Sequence, residues 1–407
     1  APPFAVPADG AAASVARCDR FTDHSCCDGV DMTHLKIERI DTTRLDIDLK
    51  QPITMSFGVV RSINVILVRM RDQDGLEGLG EATVLGGPFW GGESAEAVQA
   101  TIEAYLKPLL LGTKVQGIGA LSQNLTRFVR GNAAARNAVE TAALDLIGRR
   151  SGRSASEILG GAVRSTIPVA WTLSTGSAEG DIEEGERAYA EQGHRRFKLK
   201  IRRSSSNEDV ARSIRIIEAF RGRAAVIADV NQGWDEVAAN RYLPRLQEAG
   251  LEGIEQPLPA GDIDAAARLS QRYGIEIIAD EALTGPDSAF RIAAKRAATS
   301  FGLKPNRDGG PTATQAIAAI AAASGLGIYG GTMLETSLGT IASAHLYATI
   351  DELRLGSELF GPLRIVEDIA SEPFKLVDGE LIVPSGPGLG FSLDEDRVAF
   401  LARKANE

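Results

Sequence analysis

Cysteine is nearly absent from this chain. Its three copies, Cys18, Cys26 and Cys27, all fall within the first 27 of 407 residues, so the remainder can form neither a disulfide framework nor a thiolate metal site. Histidine is almost as scarce. None of His24, His34, His194 and His345 follows a strand at ligand spacing, which argues against zinc. There is no surplus of positive charge either. The 54 Asp and Glu outnumber the 44 Lys and Arg, a net charge of −10, the reverse of the basic footprint that nucleic acid or an anionic membrane selects. No apolar run approaches the ~18 residues needed to cross a bilayer, and the N-terminus lacks the basic and apolar regions of a secretory signal. The expected location is therefore cytoplasmic, with no nucleic-acid and no membrane partner. No Gly-rich phosphate loop opens a helix, so nucleotide binding is not expected. What is present is ordinary globular composition, 44% hydrophobic and 24% charged, at a length that suits two domains.

Residues 1–31 are rich in Ala, Pro, Ser and Asp, show no period and are expected to carry no function. Organised sequence begins near His34. Leu35–Asp41, Thr43–Leu49 and Ile63–Arg71 read as strands, and Asp72–Gly75 as a turn before a strand over Leu76–Ala82. Two helices are predicted next, over Ala95–Leu111 and roughly Leu121–Arg150. Strands followed by helices indicate an α+β unit. From about Ile167 the rhythm changes to short apolar runs alternating with amphipathic helices roughly every 25 residues. The runs are Ile167–Thr172, Phe197–Ile201, Ala224–Val230, Gly253–Glu255, Ile275–Ala279, Ser300–Leu303 and Gly327–Tyr329. This reads as a TIM-type barrel, with a doubly wound open sheet as the alternative.

The charged residue at the end of each run favours the barrel. These are Lys198 and Lys200, then Asp229, Glu255, Asp280 and Lys304, at steps of 29, 26, 25 and 24 residues from Lys200. Each step is one βα unit, and in a barrel such residues converge on one mouth. A lone Asp after a strand is more often a helix cap than a ligand; a set in register on consecutive units calls for another explanation. Three carboxylates cannot share a low-dielectric mouth without a neutralising charge. All-oxygen ligation favours a hard divalent ion, Mg²⁺ or Mn²⁺. A hard cation flanked by lysines suits carbanion chemistry next to a substrate carboxylate, the lysine-plus-Mg²⁺ pattern known from enolase-type enzymes. Lys198, two residues before Lys200 on the same strand face, would tune its neighbour by its charge.

These motifs resemble those of the muconate cycloisomerase (muconate lactonizing enzyme) family of the enolase superfamily. They are Phe-Lys198-Leu-Lys200-Ile, Asp229-Val-Asn231, Ile-Glu255-Gln-Pro, Ala-Asp280-Glu and Leu-Lys304-Pro, together with the long stretch 329–345 and Ser-Glu358-Leu-Phe-Gly-Pro. The resemblance runs over about residues 35–400. It implies α/β architecture, a (β/α)₇β barrel with an α+β capping domain. The expected boundaries are a disordered extension over 1–33, the capping domain over 34–160, the barrel over 161–365, and a segment 366–407 returning to the cap. It implies Asp229, Glu255 and Asp280 as ligands of one Mn²⁺ or Mg²⁺ and Lys200 as the general acid and base. Lys198 would assist Lys200 and help bind a substrate carboxylate. Lys304 would stand on the opposite face, and Glu358 would orient groups near the substrate or Lys304. The substrate would be a small dicarboxylate, cis,cis-muconate, and the assembly a homo-octamer.

Asn231 joins the substrate contacts expected from two loops folded over the mouth. The first, residues 52–61, supplies Ile53, Met55 and Ser56. The second, residues 83–94, supplies Leu85, Phe89 and Trp90, with four glycines around the aromatic tip that suit a mobile lid. The chain also departs from the family pattern. Ile53-Thr54 stands where a His-Lys pair is common, which removes a cation near a dianionic substrate. Leu85 replaces a common isoleucine, and Thr336 a common glycine. Chloromuconate cycloisomerisation, N-acyl amino acid racemisation, dipeptide epimerisation and o-succinylbenzoate synthesis use the same machinery and stay open at this point. A non-catalytic binding barrel would tolerate loss of a lysine or a ligand, and none is lost.

Overall fold

The computed structural model describes residues 35–55, 58–201 and 207–405. The N-terminal part is an antiparallel meander of β1 (Ile37–Met55), β2 (Gly58–Asp72) and β3 (Glu77–Val84). The two strands expected over 35–49 form one continuous strand, long enough to bury alternate residues such as Leu45, Ile47 and Leu49. The Asp72–Gly75 turn forms as its composition predicts. Asp72 accepts the backbone N–H groups of Asp74 and Leu76 at 3.0 and 2.9 Å, and Gly75 supplies φ +82°. β3 lies against the Ala-rich helix Ala133–Ser151. The approach is so close that a Cβ at Gly80 would overlap the Ala138 carbonyl oxygen. The helix expected over 121–150 is two, Ile118–Phe128 and Ala133–Ser151. Gly131 and Asn132 take left-handed conformations (φ +61° and +48°) and break it.

The second part is a parallel sheet of seven strands: β5 (Trp171–Leu173), β6 (Arg196–Lys200), β7 (Ala225–Asp229), β8 (Gly253–Glu255), β9 (Glu276–Ala279), β10 (Ser300–Leu303) and β11 (Gly327–Gly330). Each strand neighbours the next in sequence. The segment at Ser357 bridges in parallel to Gly330 on one side and to Val169 on the other, so the sheet curls round on itself as a (β/α)₇β barrel. The helices outside it follow from local chemistry. Glu236–Ala249 starts at Asp235, whose side chain accepts the Ala238 N–H, and ends at Gly250 in the left-handed region. It turns Ala239, Tyr242, Leu243, Leu246 and Ala249 inward.

One predicted strand is also split. Of the run 167–172, β4 (Thr166–Pro168) leaves the barrel to pair with a hairpin of β12 (Leu376–Val377) and β13 (Glu380–Ile382). The C-terminal segment thus touches the start of the barrel before its last helix, Glu395–Lys404, reaches the meander. There Lys404 pairs with Asp48 at 2.6 Å and Glu395 with Arg69 at 2.6 Å. Among the described residues no helix is long and apolar enough to cross a membrane.

Candidate active site at the barrel mouth

The carboxyl ends of the barrel strands open on a cavity of about 390 Å³. The barrel supplies Lys198, Lys200, Asp229, Asn231, Lys304 and Glu358 to its lining; the meander supplies Ile53, Val60, Leu85 and Trp90. Strand register explains the grouping. Lys200 pairs laterally with Asp229, and Asp229 with Glu255, so one row across β6, β7 and β8 carries three charged side chains. Asp280 directly follows β9, Lys304 follows β10, and Glu358 follows the Ser357 bridge.

Lys198 is the most enclosed of the lysines, its side chain 1% exposed. Its ammonium lies 2.7 Å from Glu255, 2.8 Å from Glu358 and 3.2 Å from Asp229. Burial alone would pull this group down, yet those three carboxylates hold it well above the usual lysine value. Its one aligned hydrogen bond among the described residues runs to Glu358 Oε2 at 2.8 Å. Lys200 is more open, its side chain 24% exposed; its Nζ donates to Asp229 Oδ2 at 2.6 Å and Asn231 Oδ1 at 3.1 Å. Lys304 Nζ donates to Asp280 Oδ2 at 2.7 Å and lies 4.3 Å from the centre of the Trp90 ring. Burial would lower Lys304 too, but Asp280 and Glu255 raise it.

The carboxylates divide accordingly. Asp229, despite burial, is held far below the usual range by Lys200 and Lys198. Asp280 is lowered by Lys304 and Arg307 against burial. Glu255 is pushed well above the usual range by burial and the Asp229 charge, which makes it the carboxylate most in need of another cation. Its buried Oε2 has no aligned hydrogen-bond donor, although the Lys198 ammonium is close.

The sequence-predicted residues are therefore partly gathered. The lysines, Asp229, Glu255, Asp280, Asn231 and Glu358 surround one mouth. Glu358 engages Lys198 rather than Lys304. Ile53 and Leu85 line the cavity, and Trp90 closes over Lys304. The 52–61 segment is not a free loop. Ile53 pairs with Val60 and Met55 with Gly58, so it is a hairpin tip, made of β-branched residues that extend the strands. Ser56 lies outside the described residues. Phe89 does not line the cavity; it is 65% exposed, its ring turned back over Gly87, where a Cβ would stand 2.8 Å from it.

Sequence reasoning missed several participants. Gln256 accepts the N–H groups of Asp280 and Ala282 at 3.0 and 3.1 Å and so fixes the start of that loop. Arg307 pairs with Asp280 Oδ1; its place three residues after Lys304 was the available signal. Arg212 and Arg364 also line the cavity, and neither sits at a strand end where the βα rhythm would mark it.

The donor set suits a hard divalent ion in kind: three buried carboxylates on adjacent strands and one orphaned oxygen on Glu255. Among the described residues no group of three or more His, Cys, Asp or Glu stands in ligating geometry; Lys198 lies beside Glu255, and Lys304 and Arg307 pair with Asp280.

Comparison with known proteins agrees with this architecture. Residues 39–160 match the mandelate racemase/muconate lactonizing enzyme N-terminal domain, and residues 181–397 the enolase C-terminal domain-like family. A chloromuconate cycloisomerase of Cupriavidus necator is 39% identical over 91% of this chain and 100% of its own length. Muconate cycloisomerase 1-2 of Acinetobacter lwoffii is 42% identical over 91% of this chain and 96% of its own. The muconate lactonizing enzyme of Pseudomonas fluorescens, solved in complex with muconolactone, superposes with a TM-score of 0.88 at 42% identity, covering 90% of this chain and 99% of that one. The chain belongs to the mandelate racemase/muconate lactonizing enzyme family of the enolase superfamily.

Proposed function

We propose that the chain is an isomerase that reversibly closes cis,cis-muconate to muconolactone. The observation that carries the reading is the lateral row Lys200–Asp229–Glu255 at the barrel mouth, in a chain matched almost end to end by cycloisomerases. In the forward direction one carboxylate oxygen of the substrate bonds to a carbon of the double bond within the same molecule. Holding both ends in one cavity supplies much of the rate. The π-electron pair moves to the carbon next to the other carboxylate, and Lys200 Nζ delivers a proton there; in reverse it removes one. Asp229 and Asn231 aim that ammonium. Lys198 keeps Asp229, Glu255 and Glu358 neutralised from beneath. Lys304 faces the substrate from the other side under Trp90.

Members of the enolase superfamily use a divalent metal ion. Here Asp229, Glu255 and Asp280 would hold it, as Mn²⁺ or Mg²⁺, and once bound it supplies fixed positive charge for the carboxylate where negative charge collects. A small dicarboxylate as substrate and a homo-octameric assembly complete the proposal. Chloromuconate is the second reading, favoured by relatives of that name that span 91% of the chain. The test is ultraviolet loss of cis,cis-muconate with Mn²⁺ or Mg²⁺, beside a panel of chloromuconates and N-acyl amino acids, before and after chelation. Muconate should be consumed, and EDTA should stop the reaction until metal is restored. Turnover confined to N-acyl amino acids, or unaffected by full demetallation, would contradict the proposal.

A further inference from the structure

Among the described residues five cationic side chains line the cavity: Lys198, Lys200, Arg212, Lys304 and Arg364. Four are already neutralised. The lysines rest on Asp229, Glu255, Glu358 and Asp280, and Arg212 pairs with Asp181. Arg364 differs. Among the described residues no carboxylate lies within ion-pairing distance of it. Its Nη2 donates to the Thr172 carbonyl at 2.7 Å, and its guanidinium lies 4.6 Å from the Trp171 ring centre and 5.5 Å from that of Phe360. The rings and the one carbonyl fix the plane of the fork, and among the described residues its further N–H groups have no acceptor. Burial lowers the group from the usual arginine value, and the nearby charge of Glu184 offsets only part of this. A guanidinium in that state has the most to gain from an incoming anion.

Its position is equally informative. Arg364 sits over β5, whereas Asp280 and Lys304 follow β9 and β10. In a closed ring of eight strands these lie on opposite sides of the mouth. The chain also lacks the cation expected at Ile53-Thr54 on the hairpin above the cavity.

We propose that Arg364 binds the attacking carboxylate of the substrate, the end across the mouth from Asp280 and Lys304, and so sets the preference for a dianion. The inference rests on the dicarboxylate reading above. It has a chemical consequence. Ring closure turns that carboxylate into a neutral lactone, so the anchor releases its charge contact as product forms, while the other carboxylate keeps its place.

The test compares Arg364→Gln with Arg364→Lys and the parent protein, each checked for fold by circular dichroism. The Gln variant should raise KM for cis,cis-muconate roughly 10- to 100-fold, the loss of one charge-assisted contact, with kcat nearly unchanged. Inhibition by muconolactone, which lacks the second charge, should move by no more than about threefold. The Lys variant should recover part of the affinity, and it carries the measurement if the Gln protein does not fold. An unchanged KM, or muconate and muconolactone weakened equally, overturns the assignment of Arg364 and leaves the proposed reaction standing. A parent protein that consumes neither muconate nor a chloromuconate removes the proposed reaction and this inference with it.

Discussion

Glu81 couples the cap to the barrel in a way that pH can probe. It is buried on β3, and its Oε1 accepts the Thr336 N–H at 3.0 Å and the Thr83 hydroxyl at 2.9 Å, while Oε2 accepts the Thr336 hydroxyl. Thr336 in turn caps the helix Ser337–Tyr347 and follows the Thr332–Leu334 stretch that lines the cavity. Burial pushes the Glu81 carboxyl up to about 7. The hydroxyls of Thr336 and Thr83 oppose the rise, and the neighbouring Glu335 charge adds to it. The folded protein therefore holds this proton more tightly than the unfolded chain. The contribution to stability is complete below pH 4.5 and is lost as pH rises through 7. Moving the carboxyl from 4.5 to about 7 corresponds to roughly 3 kcal/mol, at about 1.4 kcal/mol per tenfold change in proton affinity. Glu81→Gln removes the titration while keeping an acceptor for the Thr336 N–H and offering a donor to its hydroxyl. Urea unfolding of both proteins at steps from pH 5 to pH 9 should show the Gln variant gaining about 2–3 kcal/mol relative to the parent as pH rises. A difference that stays flat across that range, or that moves in favour of the parent, would refute the reasoning.

Lys198→Met should destabilise the protein by about 3–5 kcal/mol, because it strands three buried carboxylates; an unfolding midpoint within error of the parent would contradict this. Trp90→Leu removes the ring against the Lys304 ammonium, a contact of about 0.5–2 kcal/mol, and should lower kcat/KM by roughly 2- to 30-fold without shifting the melting temperature by more than a few degrees. Steady-state kinetics on cis,cis-muconate, paired with thermal unfolding, checks both parts.

The barrel was legible because its information is local and repeated. Each short apolar strand ends in a charged residue one βα unit from the next, so Lys200, Asp229, Glu255, Asp280 and Lys304 could be placed at one mouth without any knowledge of long-range contacts. Features set by contacts distant in sequence were not legible. Nothing near Glu81 announces that its partner is Thr336, 255 positions on, and nothing near Arg364 announces the Trp171 ring. Thr336 looked like an irregularity where glycine is common, yet its backbone (φ −64°, ψ 179°) requires no glycine, and its side chain caps the helix. The 52–61 hairpin tip was hidden because Pro52 and Gly58 carry turn signals that pairing with β2 overrides. Phe89 shows the limit of reading a glycine-flanked aromatic: composition suggested a tip over the substrate, but that ring is exposed while its neighbour Trp90 lies over Lys304.

The central claim is that Lys200 moves the proton while a divalent ion is held beside it. The most direct measurement is single-turnover conversion of cis,cis-muconate in deuterated water by the parent and by Lys200→Ala, each loaded with Mn²⁺. The parent should place one deuterium on the carbon next to the free carboxylate of muconolactone. The variant should keep its circular dichroism and its bound Mn²⁺ but lose at least about 10²-fold in rate, the usual worth of a positioned acid. A variant that closes the ring at near-parent speed, with the same label, would show that the proton comes from elsewhere.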